Sequence, residues 1–101
     1  MIDDGFGFGG VDDATIRRER AKARELRRTR WWKNKIAQRR CYYCDHEIPM
    51  DELTMDHIVP LARGGRSAKN NLVPSCKECN NLKKTMLPME WQEYMDRLDR
   101  Q

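Results

Sequence analysis

Two Cys-x-x-Cys pairs, Cys41 with Cys44 and Cys76 with Cys79, constrain this chain more than any other feature, and they use all four of its cysteines. At 101 residues, 39% of them hydrophobic and 36% charged, the chain has room for one small domain and little apolar surface to bury. A fold of that kind needs a cross-link, either disulfide or metal. Met1 to Asp13 show no basic segment followed by an apolar run, so they do not read as a signal peptide. A reducing, cytoplasmic setting is therefore expected, and there paired Cys-x-x-Cys reads as zinc. Four thiolates fill a tetrahedral shell and leave no open position, which predicts a structural zinc closing the thirty-one-residue loop between Cys44 and Cys76. No stretch approaches the 18 apolar residues of a membrane span, so a soluble chain without a membrane partner is expected.

The net charge of +4 hides a strong asymmetry. Residues 14–40 hold twelve Lys and Arg against only Glu19 and Glu25, whereas Met1 to Asp13 carry four Asp and no base. A segment that basic meets a polyanion as a rule. Arg27, Arg28, Arg30 and Lys33 are its candidate nucleic-acid contacts, with Arg63, Arg66 and Lys69 on a later loop.

These shifts divide the chain into a Gly-rich tail at 1–13, expected to be flexible, a basic helix at 14–40 and a unit at 41–101 that carries all four cysteines. Asp12 or Asp13 should cap the basic helix, which runs to about Gln38 with a thin apolar stripe. Trp31 and Trp32 admit two readings, anchors on the core or stacking platforms for bases, with packing favoured for at least one. Alternation of Leu53, Met55 and His57 with Thr54 and Asp56 predicts a short strand, and Asn71 to Pro74 a second. Lys77 to about Thr85 reads as a helix. After Pro88, Trp91, Met95 and Leu98 recur at helical spacing, predicting a closing amphipathic helix.

On the second helix Cys76, Cys79, Asn80 and Lys83 share one face. Alone, Asn80 would be an ordinary helix residue and Lys83 a solvated base. Asp56-His57 changes that weighing. A carboxylate and an amide oxygen are hard donors suited to Mg²⁺ or Mn²⁺, and a neutral His57 beside them could take a proton from water. Together they suggest a one-metal phosphodiesterase. Adjacent residues of a regular strand point to opposite faces, so the strand should end where these two stand.

The run Asp56-His57-Ile58-Val59-Pro60, Gly64-Gly65, Asn70 to Asn80 and Lys83 resembles the HNH endonucleases in their zinc-stapled form. The resemblance spans roughly residues 41 to 88. It implies a small α+β fold: a ββα-metal, or His-Me finger, core stapled by a four-cysteine zinc site, with the long basic N-terminal helix and a C-terminal helix around it. It also implies His57 as general base, Asp56 as first metal ligand and Asn80 as second, in a place where the literal motif has His. Asn71 would bond across the loop so that His57 is presented correctly, and Lys83 looks like a phosphate or product contact. A second Asp-His pair, Asp45-His46, lacks the Ile-Val-Pro continuation and reads as surface.

The function expected on these grounds is metal-dependent hydrolysis of DNA leaving 5′-phosphate and 3′-hydroxyl ends. One site per chain suggests nicking by a monomer, with two copies in a weak dimer needed to cut both strands. The rivals are a zinc-stapled nucleic-acid-binding module without cleavage and a subunit of a larger DNA-processing machine, such as a phage packaging complex, acting in a bacterial or phage-infected cell.

Overall fold

A computed structural model of the chain describes residues 11–99. The Gly-rich segment at 1–10, expected to be a flexible tail, lies outside the described residues. The basic segment forms two helices rather than one, α1 (Asp13–Arg27) and α2 (Arg30–Ala37). Asp12 caps α1 by accepting a hydrogen bond from the Thr15 backbone N–H at 2.8 Å. Thr29 makes the break. Its backbone turns extended (φ −81°, ψ 157°), its hydroxyl donates to the Leu26 carbonyl at 2.6 Å, and the same oxygen accepts from the Trp32 N–H at 3.3 Å. One threonine thus closes α1 and caps α2.

The break lets the second helix turn onto the sheet, where α2 packs on β2 and Trp32 is buried at 3% exposure. Truncating a ring so deeply placed costs about 3–5 kcal/mol in typical cores. Trp31 stays half-buried, with the Lys35 and Lys69 ammonium groups 5.9 and 5.6 Å from its ring centre.

The sheet is one antiparallel pair, β1 (Leu53–His57) with β2 (Leu72–Cys76), in a register that sets Asp56 opposite Val73 and His57 opposite Leu72. The short helix α3 (Lys77–Lys83) follows β2 directly, and α4 (Pro88–Asp99) closes the described chain. The order β1, β2, α3 is the ββα unit expected. Its apolar centre gathers Cys41, Cys76, Cys79 and Trp91, with Tyr43, Ile48, Met86, Tyr94 and Met95 against them. Leu98, expected on the packed face of the last helix, is exposed. Among the described residues no helix is long and apolar enough to cross a membrane.

Candidate active site

The Sγ atoms of Cys41, Cys44, Cys76 and Cys79 all lie within 4.8 Å of one another, and none of the four is in a disulfide. Sulfurs about 2.3 Å from a central zinc stand about 3.8 Å apart in a tetrahedron, and Cys44 and Cys76 are 4.0 Å apart. The cluster can therefore hold a metal such as zinc. Backbone amides prepare it: Tyr43 N–H points at the Cys41 sulfur and Cys79 N–H at the Cys76 sulfur, both at 3.4 Å. At Cys41 burial opposes ionisation, but the amides of Cys44, Cys76 and Tyr43 outweigh it and bring the thiol down to about 7, toward the thiolate a metal requires.

The hairpin displays its two faces to different helices. Thr54 and Asp56 share one face of β1, while Met55 and His57 share the other. On the first face stands α3. The Thr54 hydroxyl donates to the Ser75 carbonyl at 2.9 Å, so toward Asn80 it can only accept, and it does so from Nδ2 at 3.0 Å. The Asn80 amide oxygen is thereby left open, and among the described residues no donor reaches it. One turn further along, Lys83 is fully buried and its ammonium donates to the His57 carbonyl at 3.2 Å. The same ammonium lies 3.5 Å from Asp56 Oδ2, which also accepts from the Tyr43 hydroxyl at 2.6 Å. Burial and that bond to Asp56 push the Tyr43 phenol well above its ordinary value, so it stays a donor. Asp56 keeps its other oxygen without a partner among the described residues. Two open hard oxygens, one on Asp56 and one on Asn80, are a donor set that suits a divalent cation.

His57 looks the other way, toward α1. Its Nε2 lies 2.9 Å from the Ser67 hydroxyl oxygen, and that hydroxyl donates its only proton to the Glu19 backbone carbonyl. The imidazole must therefore be the donor at Nε2, which leaves Nδ1 as the basic nitrogen of the neutral ring. Glu19 holds the same serine a second time, its carboxylate accepting from the Ser67 N–H at 2.6 Å. That bond, with Lys22 at 3.0 Å, keeps the 3%-exposed carboxyl below its usual range. Replacing Glu19 by alanine is expected to lower unfolding stability by about 1.5–3 kcal/mol, the usual worth of a hydrogen bond to a buried charged group. Urea unfolding measures this, and an unchanged midpoint would show that α1 is not anchored here.

His57 is the last residue of β1, and the turn after it brings both faces to a common opening. Asp56 and His57 line one cavity of about 250 Å³ with Arg20, Pro60, Leu61, Ala62, Lys84 and Thr85. The strand-face difficulty is relieved there because the chain leaves the sheet at that point. Asn71 holds the loop that follows. Its Oδ1 accepts from the Val59 N–H at 2.9 Å, and its Nδ2 donates to the carbonyls of Val59 at 3.1 Å and Arg66 at 2.8 Å. Gly65 is required by the same closure, since a Cβ there would meet the Val59 carbonyl oxygen at 1.8 Å. Gly64 turns with φ +93°, a left-handed conformation that suits glycine.

With a ββα hairpin-helix beside a four-thiol cluster, an Asp-His pair at the strand end and an asparagine across the loop, the HNH endonuclease family model matches residues 41–94, more than half of the chain. The chain belongs to the HNH endonuclease family. No curated protein matches it. Family membership implies a nucleic-acid substrate.

Several residues singled out by sequence stand elsewhere in this HNH protein than expected. Lys83 is sealed inside, so it offers no surface to a phosphate and instead pairs with Asp56. Asn80 borders Thr54 and is not part of the lining shared by Asp56 and His57. Arg63 is held by Glu90 at 3.1 Å and by the Thr85 carbonyl, Arg66 lies 3.7 Å from Glu19, and Arg28 lies 3.8 Å from Glu25. Arg30, Lys33 and Lys69 are exposed. His46 is exposed on the first knuckle, where its carbonyl accepts from Cys41 N–H. Sequence reasoning did not single out Glu19, Ser67, Tyr43 and Thr54 for the site. Glu19 alone carried a signal, an acid inside a run of bases.

Proposed function

We propose that this chain is a metal-dependent endonuclease that hydrolyses DNA phosphodiester bonds with His57 as general base. The observation that carries the reading is the imidazole itself. It lines one cavity with the Asp56 carboxylate and is held through Nε2 by Ser67, so the remaining ring nitrogen can accept a proton. A water deprotonated at that nitrogen attacks phosphorus in line, the P–O3′ bond breaks, the departing 3′-oxygen takes a proton from solvent, and the products carry 5′-phosphate and 3′-hydroxyl ends. Asp56 and Asn80 would hold a magnesium or manganese ion through their open oxygens, and such an ion supplies charge stabilisation at the phosphate and the leaving oxygen. Lys83 balances the Asp56 charge from inside the fold, while Asn71 keeps the loop after His57 closed. A zinc in the four-thiol cluster holds α3 against the hairpin. The basic segment binds duplex backbone through counterion release, with affinity that falls steeply with salt.

Incubating the purified, zinc-loaded chain with supercoiled plasmid tests this, without divalent ion and then with Mg²⁺ or Mn²⁺. Metal-dependent relaxation supports the enzyme. Binding without relaxation in every metal sinks it and favours the rival, a zinc-held nucleic-acid-binding module or a subunit of a larger DNA-processing complex such as a phage packaging machine. One observation favours that rival: Asp56 Oδ2 already has Tyr43 and Lys83 as neighbours.

The pH profile is a second check. Burial is the largest influence on His57 and holds its pKa below the ordinary 6.5; the Asp56 and Glu19 carboxylates pull the other way, while Lys83 and Arg20 add to the lowering. The protonated ring cannot act as base, so kcat/KM should rise with pH through a midpoint below 6.5 and be level by neutral pH. A rising limb centred well above 6.5 would mean that some other group is titrating.

A further inference from the structure

The cavity shared by Asp56 and His57 opens beside a second groove that belongs to helix α1. Arg20, Arg24 and Arg27 line it, with Ala23, Met55 and His57 as its floor, in a volume of about 230 Å³. Arg20 lines both spaces, so the two adjoin at His57. All of α1 lies outside the segment that matches the HNH family, residues 41–94.

We infer that the Arg20, Arg24 and Arg27 row is the binding track for the backbone phosphates of the strand whose scissile phosphate enters the Asp56–His57 cavity. This rests on the nuclease reading and narrows it. Three observations carry it. The first is charge: beyond the first turn of α1 its acids are taken by other cations, Glu19 by Lys22 and Arg66 and Glu25 by Arg28. Arg20, Arg24 and Arg27 are exposed and, among the described residues, without an ion-pair partner. Like charges three and four residues apart repel along a helix, and an anion laid across the row relieves that repulsion. The second is placement: Ala23 is buried at 6% exposure and Glu19 is bonded twice to Ser67, so the row is fixed relative to His57 rather than carried on a projecting arm. The third is spacing: Arg20 to Arg27 spans about 10 Å of helix, the axial length of about three phosphates on one strand of B-form DNA. Guanidinium forks suit phosphate oxygens.

The occupant is thus a phosphodiester strand, recognised without regard to base sequence. In the His57→Ala background, affinity for a short DNA duplex is measured against KCl concentration for the full chain, for Arg20→Gln/Arg24→Gln/Arg27→Gln and for Arg30→Gln/Lys33→Gln on α2. Loss of three phosphate contacts should flatten the slope of log K against log salt by about 2–3, and the α2 pair should change it by less than about 1. With His57 restored, the triple variant should nick plasmid more slowly at fixed salt, and lose more rate per charge removed than the α2 pair. Circular dichroism and zinc content check the fold, and Arg24→Gln alone should give about a third of the change in slope. An unchanged slope in the triple variant, or an equal loss per charge in the α2 pair, overturns the track. An arginine-dependent slope in a chain that never cuts would leave the track standing and remove the nuclease; undiminished nicking with an unchanged slope would do the reverse.

Discussion

Substituting His57 by alanine should lower metal-dependent plasmid nicking by about 10²–10⁴-fold, the usual worth of a general base, with the fold intact. The fold should survive because the groups of His57 that hold the hairpin are backbone ones. Its main chain pairs with Leu72 and its carbonyl accepts from Lys83, both unchanged by truncation. Only the side-chain bond to Ser67 is lost, at a cost of about 0.5–1.5 kcal/mol. His46→Ala is the matched control: this histidine is exposed, on a knuckle turn where Asp45 has φ +62°, and nicking should be unaffected. Initial rates in saturating Mn²⁺, with zinc content and circular dichroism recorded for each variant, decide the matter. Wild-type cleavage by the His57 variant would exclude the mechanism.

Removing a thiol should have the largest structural effect. Cys79 is 6% exposed and belongs to the cluster that includes Trp91 and, at its edge, Tyr43, Met86 and Tyr94. Structural zinc contributes on the order of 10 kcal/mol in small domains, comparable to the whole stability of a chain this size, about 5–15 kcal/mol. Cys79→Ser is therefore expected to abolish the cooperative unfolding transition and the near-ultraviolet signal of Trp91. A strong chelator should do the same to the wild-type chain, reversibly on adding zinc. Because Tyr43 links the first knuckle to Asp56 and α3 carries both Cys79 and Asn80, activity should vanish with the fold. A metal-free chain that kept a native spectrum would mean that apolar packing alone suffices.

How much of this was legible from residues alone depends on how local each interaction is. Asp12 was readable as a helix cap because its partner, Thr15, is three residues away. Thr29 was not, because arginine and lysine around it favour helix on both sides and only the double use of its hydroxyl shows the break. Trp32 could be assigned to the core in principle, but which tryptophan of the pair is buried depended on the turn that Thr29 makes. Lys83 misled for a different reason. A lysine on a helix beside a metal motif looks solvent-facing until the hairpin is laid over it and its ammonium is enclosed with Asp56.

The cysteine spacing, the two short strands and the helix after Cys76 were determined by the sequence itself, because each follows from short-range geometry: knuckle turns, strand alternation, helical spacing. The role of Asn71 and the ββα core were implied by the resemblance to the HNH endonucleases, and the contact that forbids a Cβ at Gly65 is tertiary. The tertiary structure alone decided which nitrogen of His57 is free, since that hangs on Ser67 and on Glu19, which lies 48 residues before the serine. It also decided that α1 lies against the site and brings Arg20 beside His57. Contacts between residues so far apart leave no periodic trace in a chain; they arise only when the packed elements bring their hydrogen-bonding groups together.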